Sequence, residues 1–201
     1  MQQAGDVKEL TAGLIRIGTF SSVATHWLPS IIREFQKDYP NIEYEFLLGD
    51  YREIEAWIRE GQVDCGFLCL PVRPDLDTIF LERDDFLAIL PATHPLAQEE
   101  RIFLDALCKE PFLMLEKDKN AEITDFFRRE GLSPNVRFTT WDDYAILSIA
   151  ESGLGVSLLI LKRIPYQVAA RETVPSFHRD IVLALRDRLA VRRFLEYLPH
   201  R

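Results

Sequence analysis

Short hydroxyl side chains stand at 19–22 (TFSS), directly after an apolar run and before an amphipathic one. Thr19, Ser21 and Ser22 put small donors and acceptors where a strand hands over to a helix, and the free N–H groups of a helix start favour an anionic or polar partner. The same switch from apolar to polar recurs at 49–51, where Asp50 stands, and at 69–71, with Cys69 and Pro71. It recurs again at 116–120, with Lys117 and Lys119, and at 139–142, with Thr140 and Trp141. In open α/β sheets ligands bind beyond the carboxyl ends of the strands, so these loops read as the lining of a site for a small polar or anionic molecule. Each residue also has a plainer use. Ser21 and Ser22 can cap the first helix, Asp50 with Glu53 fits a capping box, and Thr140 with Asp143 repeats that spacing. The lysines can be solvated and Trp141 can pack. Capping and binding are compatible, because a loop that caps a helix also faces the strand ends.

A catalytic reading finds less to work with. His26, His94, His178 and His200 are scattered without metal-ligand spacing, and no serine sits in a G-x-S-x-G elbow. The doublets Asp84-Asp85, Glu99-Glu100 and Asp142-Asp143 are sequence neighbours, whose side chains diverge on a strand or helix, and they read as solvated surface. No nucleophile with an assigned base emerges, and neither a metal nor a cofactor is implied. Cys65 and Cys108 read as small core residues, whereas Cys69, just past a strand, is placed to be exposed. The "GLG" at 153–155 reads as a tight turn from helix to strand and lacks the rest of a phosphate-binding fingerprint.

The elements that must position these loops alternate. Residues 14–18 read as a strand, and Leu28, Ile31, Ile32 and Phe35 follow at helical spacing, giving a first helix over 23–38 that ends before Pro40. Ile42, Tyr44, Phe46 and Leu48 alternate as a strand; Ile54, Trp57 and Ile58 mark a helix closed by Gly61; and 63–68 is a buried strand. A second βαβαβ series follows: strand 112–115, helix 121–130 closed by Gly131, strand 136–140, helix 142–152 and strand 155–160. Two strand-like runs, 84–97 and 179–188, lack the expected crossover helix and read as passages between the two series, with a last helix at 188–198 returning to the first. The expectation is an α/β chain of two Rossmann-like lobes with parallel sheets, joined by two crossover strands that form a hinge. Lobe I takes 14–88 and 184–201, and lobe II takes 89–183.

At 201 residues the chain suits two modest lobes. A net charge of −8 argues against a direct grip on nucleic acid, which needs clustered Lys and Arg. Residues 1–10 carry charge without an apolar core, and no stretch is long enough to span a bilayer, which points to a cytoplasmic protein with no membrane partner.

The stretches LIRIGTFSSVATHWLPSIIREFQKDYPNIEYEF (14–46), GQVDCGF (61–67), LAILPATHPLA (87–97) and IAESGLGVSLL (149–159) occur in an order that resembles the effector-binding region of LysR-type transcriptional regulators. The resemblance implies the two-lobed fold of type 2 periplasmic binding proteins and a small inducer held between the lobes. It also implies a winged helix-turn-helix head, absent from these 201 residues, which would make 1–13 a remnant of its linker and DNA a partner only through that head. Ser22 then falls where the family commonly has a ligand-contacting hydroxyl, flanked by Ser21 and Val23. Asp50 falls where a Thr or Ser is usual, so a ligand with a carboxylate and an amine or hydroxyl would answer both loops; Lys117 and Thr140 match second-lobe positions by location. The family also implies a homodimer or homotetramer, with the helix at 23–38 of one chain against that at 123–130 of another. The function expected is a ligand-sensing regulatory domain rather than an enzyme; a solute-binding or carrier protein of the same fold is the alternative.

Overall fold

The computed structural model describes residues 13–116, 122–160, 166–185 and 196. Lys117, Lys119, residues 1–12 of the expected linker remnant and all of the expected last helix but Glu196 lie outside the described residues. The chain divides into two compact units, one holding the described residues up to Leu81 and from Val182, the other Glu82–Ile181.

In the first unit, β1 (Gly13–Thr19) pairs in parallel with β2 (Ile42–Leu48) and with β3 (Cys65–Cys69). The expected single helix over 23–38 is two, α1 (Ser21–His26) and α2 (Leu28–Asp38), meeting at Trp27. Pro29 is the cause: it has no N–H to offer a carbonyl one turn back, and its ring crowds that position. The Trp27 carbonyl restarts the ladder by accepting from Ser30 and Ile31, each at 3.1 Å. Val23, Leu28, Ile31 and Phe35 are buried from these helices. α3 (Tyr51–Glu60) buries Ile54 and Ile58 and ends at Gly61, whose φ of 73° is the left-handed geometry expected there. On β2 only Ile42 is fully buried, while Phe46 and Leu48 are 41% and 60% exposed.

Two long strands, β4 (Asp77–Pro91) and β10 (Phe177–Leu185), carry the chain from one unit to the other, each starting outside the expected passages 84–97 and 179–188. Strand order runs β2-β1-β3-β10-β4, then through β9 (Val168–Val174) to β5 (Arg101–Phe103). Not every pairing is parallel, as the βαβ reading expected: β4 runs antiparallel to β9 and to β8 (Ser157–Leu159).

The second unit also contains α4 (Leu104–Leu107), β6 (Pro111–Leu115) paired in parallel with β7 (Asn135–Thr140), α5 (Glu122–Arg129) and α6 (Asp143–Glu151). One core cluster joins Phe86, Phe112, Ile123, Phe126, Phe127 and Phe177, and a second joins Ile89, Leu113, Ile146, Leu147 and Leu159. Phe177 stacks between Phe86 and Phe126 with centroids 4.3 Å away on either side.

The 153–155 turn is as tight as read. Gly153 has a φ of 79°, and a Cβ on Gly155 would lie 2.5 Å from the Pro111 carbonyl oxygen. Since a backbone oxygen paired in the sheet cannot step aside, Gly155→Ala should cost about 1–3 kcal/mol, the range for overpacking a core. Urea unfolding with an unshifted midpoint would refute this account of the turn.

Candidate functional site

Thr19 ends β1 fully buried, its hydroxyl directed to the Phe20 carbonyl at a long 3.4 Å. Ser21 and Ser22 open α1, but neither occupies its capping position, which belongs to Phe20 and carries no side-chain cap. Ser21 is exposed, Ser22 half-buried and Val23 buried. The hydroxyls thus sit one and two residues too late to cap. The Ser21 carbonyl accepts the Thr25 hydroxyl at 2.8 Å.

At the end of β2 the capping box is present as read. Asp50 Oδ1 accepts the Glu53 N–H at 2.9 Å, and Glu53 Oε2 accepts the Asp50 N–H at 2.8 Å. Next to it Tyr51 meets Phe20 edge to face, with centroids 5.2 Å apart. Cys69, expected to be exposed, is buried at the end of β3, and its thiol donates to the Tyr51 hydroxyl at 3.1 Å. The cause is Tyr51, which at the start of α3 covers the sulfur. Phe20, Tyr51 and Cys69 therefore join the three loops after β1, β2 and β3, and sequence reading passed over Phe20 and Tyr51. Their signal was position, each standing next to a residue singled out for its polarity. Pro71 follows through a cis Leu70-Pro71 bond and is exposed.

Burial pushes the Cys65 thiol up, with a smaller push from the Asp64 carboxylate, so Cys65 behaves as the core residue expected. Cys108 packs against the second unit's core, where burial likewise raises its thiol.

In the second unit, α6 is capped by Asp142 and not by the Thr140-Asp143 pair. Asp142 Oδ1 accepts from the N–H of Tyr144 at 2.8 Å and of Ala145 at 3.3 Å, while Thr140 accepts the Asp142 N–H at 3.3 Å. The loop is thus held by a relay of two side chains, one fixing the next. Trp141 beside it is 69% exposed, so it does not pack into the fold. Glu116, after β6, accepts a hydrogen bond from Thr124 on α5.

Two of the acidic doublets also need correcting. Asp84 is only 4% exposed, 3.9 Å from Arg179, because its side chain shares the inward face of β4 with Phe86. Asp85 is exposed, as are Glu99 and Glu100. Asp143 is half-buried; burial holds its carboxyl above the ordinary range and Asp142 pushes the same way, while Arg179 pulls it down. Arg83 and Asp180 form a two-pronged pair at 2.7 and 2.9 Å, and the Arg83 guanidinium keeps the Asp180 carboxyl low. The sequence carried a signal for these contacts: Arg83-Asp84 and Arg179-Asp180 are complementary when read in opposite directions.

Among the described residues no cluster of His, Cys, Asp and Glu could hold a metal, and no helix is long and apolar enough to cross a membrane. The two α/β units, joined by two strands, have the form expected of an effector-binding domain. The model of the LysR substrate binding domain matches residues 8–201, and the chain belongs to that family. It is 30% identical over 204 residues to the uncharacterized HTH-type transcriptional regulator YvbU of Bacillus subtilis, covering 97% of this chain and 70% of the relative. It spans 51% of a second relative from that organism, YybE. The crystal structure of HinK, a LysR family transcriptional regulator from Pseudomonas aeruginosa, superposes with a TM-score of 0.83 at 26% identity, covering 94% of this chain and 70% of that one. The effector binding domain of QuiR in complex with shikimate shares the fold, with a TM-score of 0.80 at 19% identity over 92% of this chain and 95% of that one. These relatives are transcription regulators and not enzymes.

The capping assignment is testable. Asp142→Ala should cost about 1 kcal/mol, as the loss of a helix N-cap does, and Thr140→Val less, since it removes only one contact to the cap. Equal losses in denaturant melts would show that the two residues cap together.

Proposed function

We propose that this chain is the sensing part of a LysR-type regulator, that it holds a small polar metabolite between the loop ends of its two units, and that ligand-favoured closure is relayed to a DNA-binding head elsewhere in the full protein. The supporting observation is the start of α1: a strand end delivers Ser21 and Ser22 to a helix start that has neither a side-chain cap nor an acid in its first turn. Thr19, Val23, Asp50, Cys69, Pro71, Lys117, Thr140 and Trp141 complete the proposed lining. Thr19, Val23 and Cys69 are buried, and on this reading they shape the loops from beneath.

A carboxylate with hydroxyl or amine groups is the ligand class proposed. Shikimate, the compound bound in the QuiR domain, is of that kind. Asp50 does not forbid it, because its charge is engaged by the Glu53 N–H at the positive end of α3. Ligand contacts to both units would shift the balance toward closure by the difference in affinity for the two states.

The assembly proposed is a homodimer or homotetramer in the cytoplasm. Phe46 and Leu48 on the outermost strand of the first unit offer it an apolar edge.

The experiment is a thermal-shift screen of hydroxylated and amino carboxylates, with shikimate as first probe, on the wild type and on Ser22→Trp. Any compound that raises the wild-type melting temperature should bind at least tenfold more weakly to the variant, whose own melting temperature stays near that of the wild type. An undiminished shift in Ser22→Trp would remove the first loop from the site.

A further inference from the structure

The two long strands that carry the chain between the units, β4 and β10, are neighbours in the sheet. Phe86 stacks on Phe177, Asp84 lies 3.9 Å from Arg179, and Arg83 binds Asp180. Each step back along β4 is matched by a step on along β10, which is the register of an antiparallel pair. Successive side chains of a strand face opposite ways, so the two ion pairs brace this ribbon from its two sides. On one side β4 supplies the cation and on the other the anion. A slip of one residue would set like charges opposite, Arg83 to Arg179 or Asp84 to Asp180, so the charges favour this register over both of its neighbours. The second unit begins at Glu82 on β4 and ends at Ile181 on β10, positions that face each other in the same register, one rung from Arg83 and Asp180.

We propose that Arg83 and Asp180 are positioning residues that pin the two crossing strands into one ribbon at the rung where both leave the second unit, so that the strands bend together when a ligand favours closure. Closure belongs to the preceding reading, on which this inference rests for its purpose; the pin itself does not depend on it. The pair has the geometry for the task. Arg83 Nε donates to Asp180 Oδ1 at 2.7 Å and Arg83 Nη2 to Oδ2 at 2.9 Å, a fork against a fork that fixes direction as well as distance. Most exposed ion pairs contribute little, but two-pronged ones are the exception. With side chains 55% and 24% exposed, the pair is also open to screening by salt, whereas Asp84 and Arg179 on the inner side are much less so. A pair that only decorated the surface would steady the strand carrying the altered residue. A pin steadies both.

Hydrogen–deuterium exchange read by mass spectrometry at pH 7, on the chain without added ligand, separates these. In Arg83→Gln, and equally in Asp180→Asn, the amides of 80–85 on β4 and 178–183 on β10 should exchange about threefold faster, the scale that a well-formed exposed pair supports. Residues 54–58 in the first unit and 146–150 in the second should stay unchanged. The double variant should exchange no faster than either single one, because the same contact is lost only once. About 1 M sodium chloride should quicken the same amides in the wild type and leave Arg83→Gln as it was. Acceleration of the substituted strand alone, additive losses in the double variant, or no response to substitution would overturn the pin. The salt arm needs no variant, and a wild type indifferent to salt would overturn it as well. Because no ligand is present, this result is independent of the Ser22 titration, and either idea can fail alone.

Discussion

The side chain of Ile54 occupies space that exists only because Gly18 and Gly66 have no side chains. A Cβ on Gly66 would lie 2.5 Å from Ile54 Cγ2, and one on Gly18 would lie 3.0 Å from the same atom. Two neighbouring parallel strands therefore present a bare strip of backbone, and α3 settles onto it with Ile54 and Ile58 fully buried. That approach fixes where the helix begins. Asp50 must cap it at the carboxyl end of β2, and Tyr51 must fall beside Phe20 and Cys69. The arrangement of the first unit's loops thus follows from packing beneath them, and the loop residues themselves do little to set it.

The second unit reaches a comparable arrangement by other means. Its helix α5 is held by aromatic stacking, with Phe126 against Phe177 and Phe177 against Phe86, offset contacts that define ring orientation as well as distance. Aromatic packing of this kind leaves room at its edge, and Arg179 and Asp84 fill it. Two charges taken so far from water hold their place only while each has a partner, since removing one strands the other. Steric fit governs α3, whereas at α5 ring stacking and charge share the task.

Most of the first unit was legible because its signals are local. Period-two and period-3.6 patterns, the Asp50-Glu53 box and Gly61 each lie within a few residues of the feature they specify. The break at Trp27 was local too, but the helical spacing of Leu28, Ile31 and Phe35 masked what Pro29 does to the turn before it. The misreadings arose where the deciding partner is distant in sequence. Asp84 read as surface because Arg179 is 95 positions away, and Cys69 read as exposed because its cover, Tyr51, stands 18 positions earlier at the start of α3. β9 went unseen because its sequence, Val-Ala-Ala-Arg-Glu-Thr-Val, has neither a strong apolar alternation nor β-branched residues at its centre, and its place is set by pairing with β4 and β5. For the loops, sequence located the ends of β1, β2, β3, β6 and β7 but not which polar groups were already engaged there.

That engagement bears on how an acidic domain can accommodate a ligand of the proposed kind. Several of its carboxylates stand in the first turn or cap of a helix: Asp50 and Glu53 at α3, Glu122 and Asp125 at α5, Asp142 and Asp143 at α6. At such positions the partial positive charge of the helix end offsets the carboxylate, and Asp50 and Asp142 also accept backbone N–H groups that would otherwise lack a partner within the helix. These six of the 32 acidic residues are therefore engaged at helix starts. The first turn of α1 carries no acid, and its serines leave the positive end of that helix uncompensated by a carboxylate of its own. Within the first unit, an anionic group approaching the strand ends would meet neutral hydroxyls at α1 and a capping carboxylate already engaged at α3, so the local arrangement of charge, more than the net charge, decides what these loops can accept.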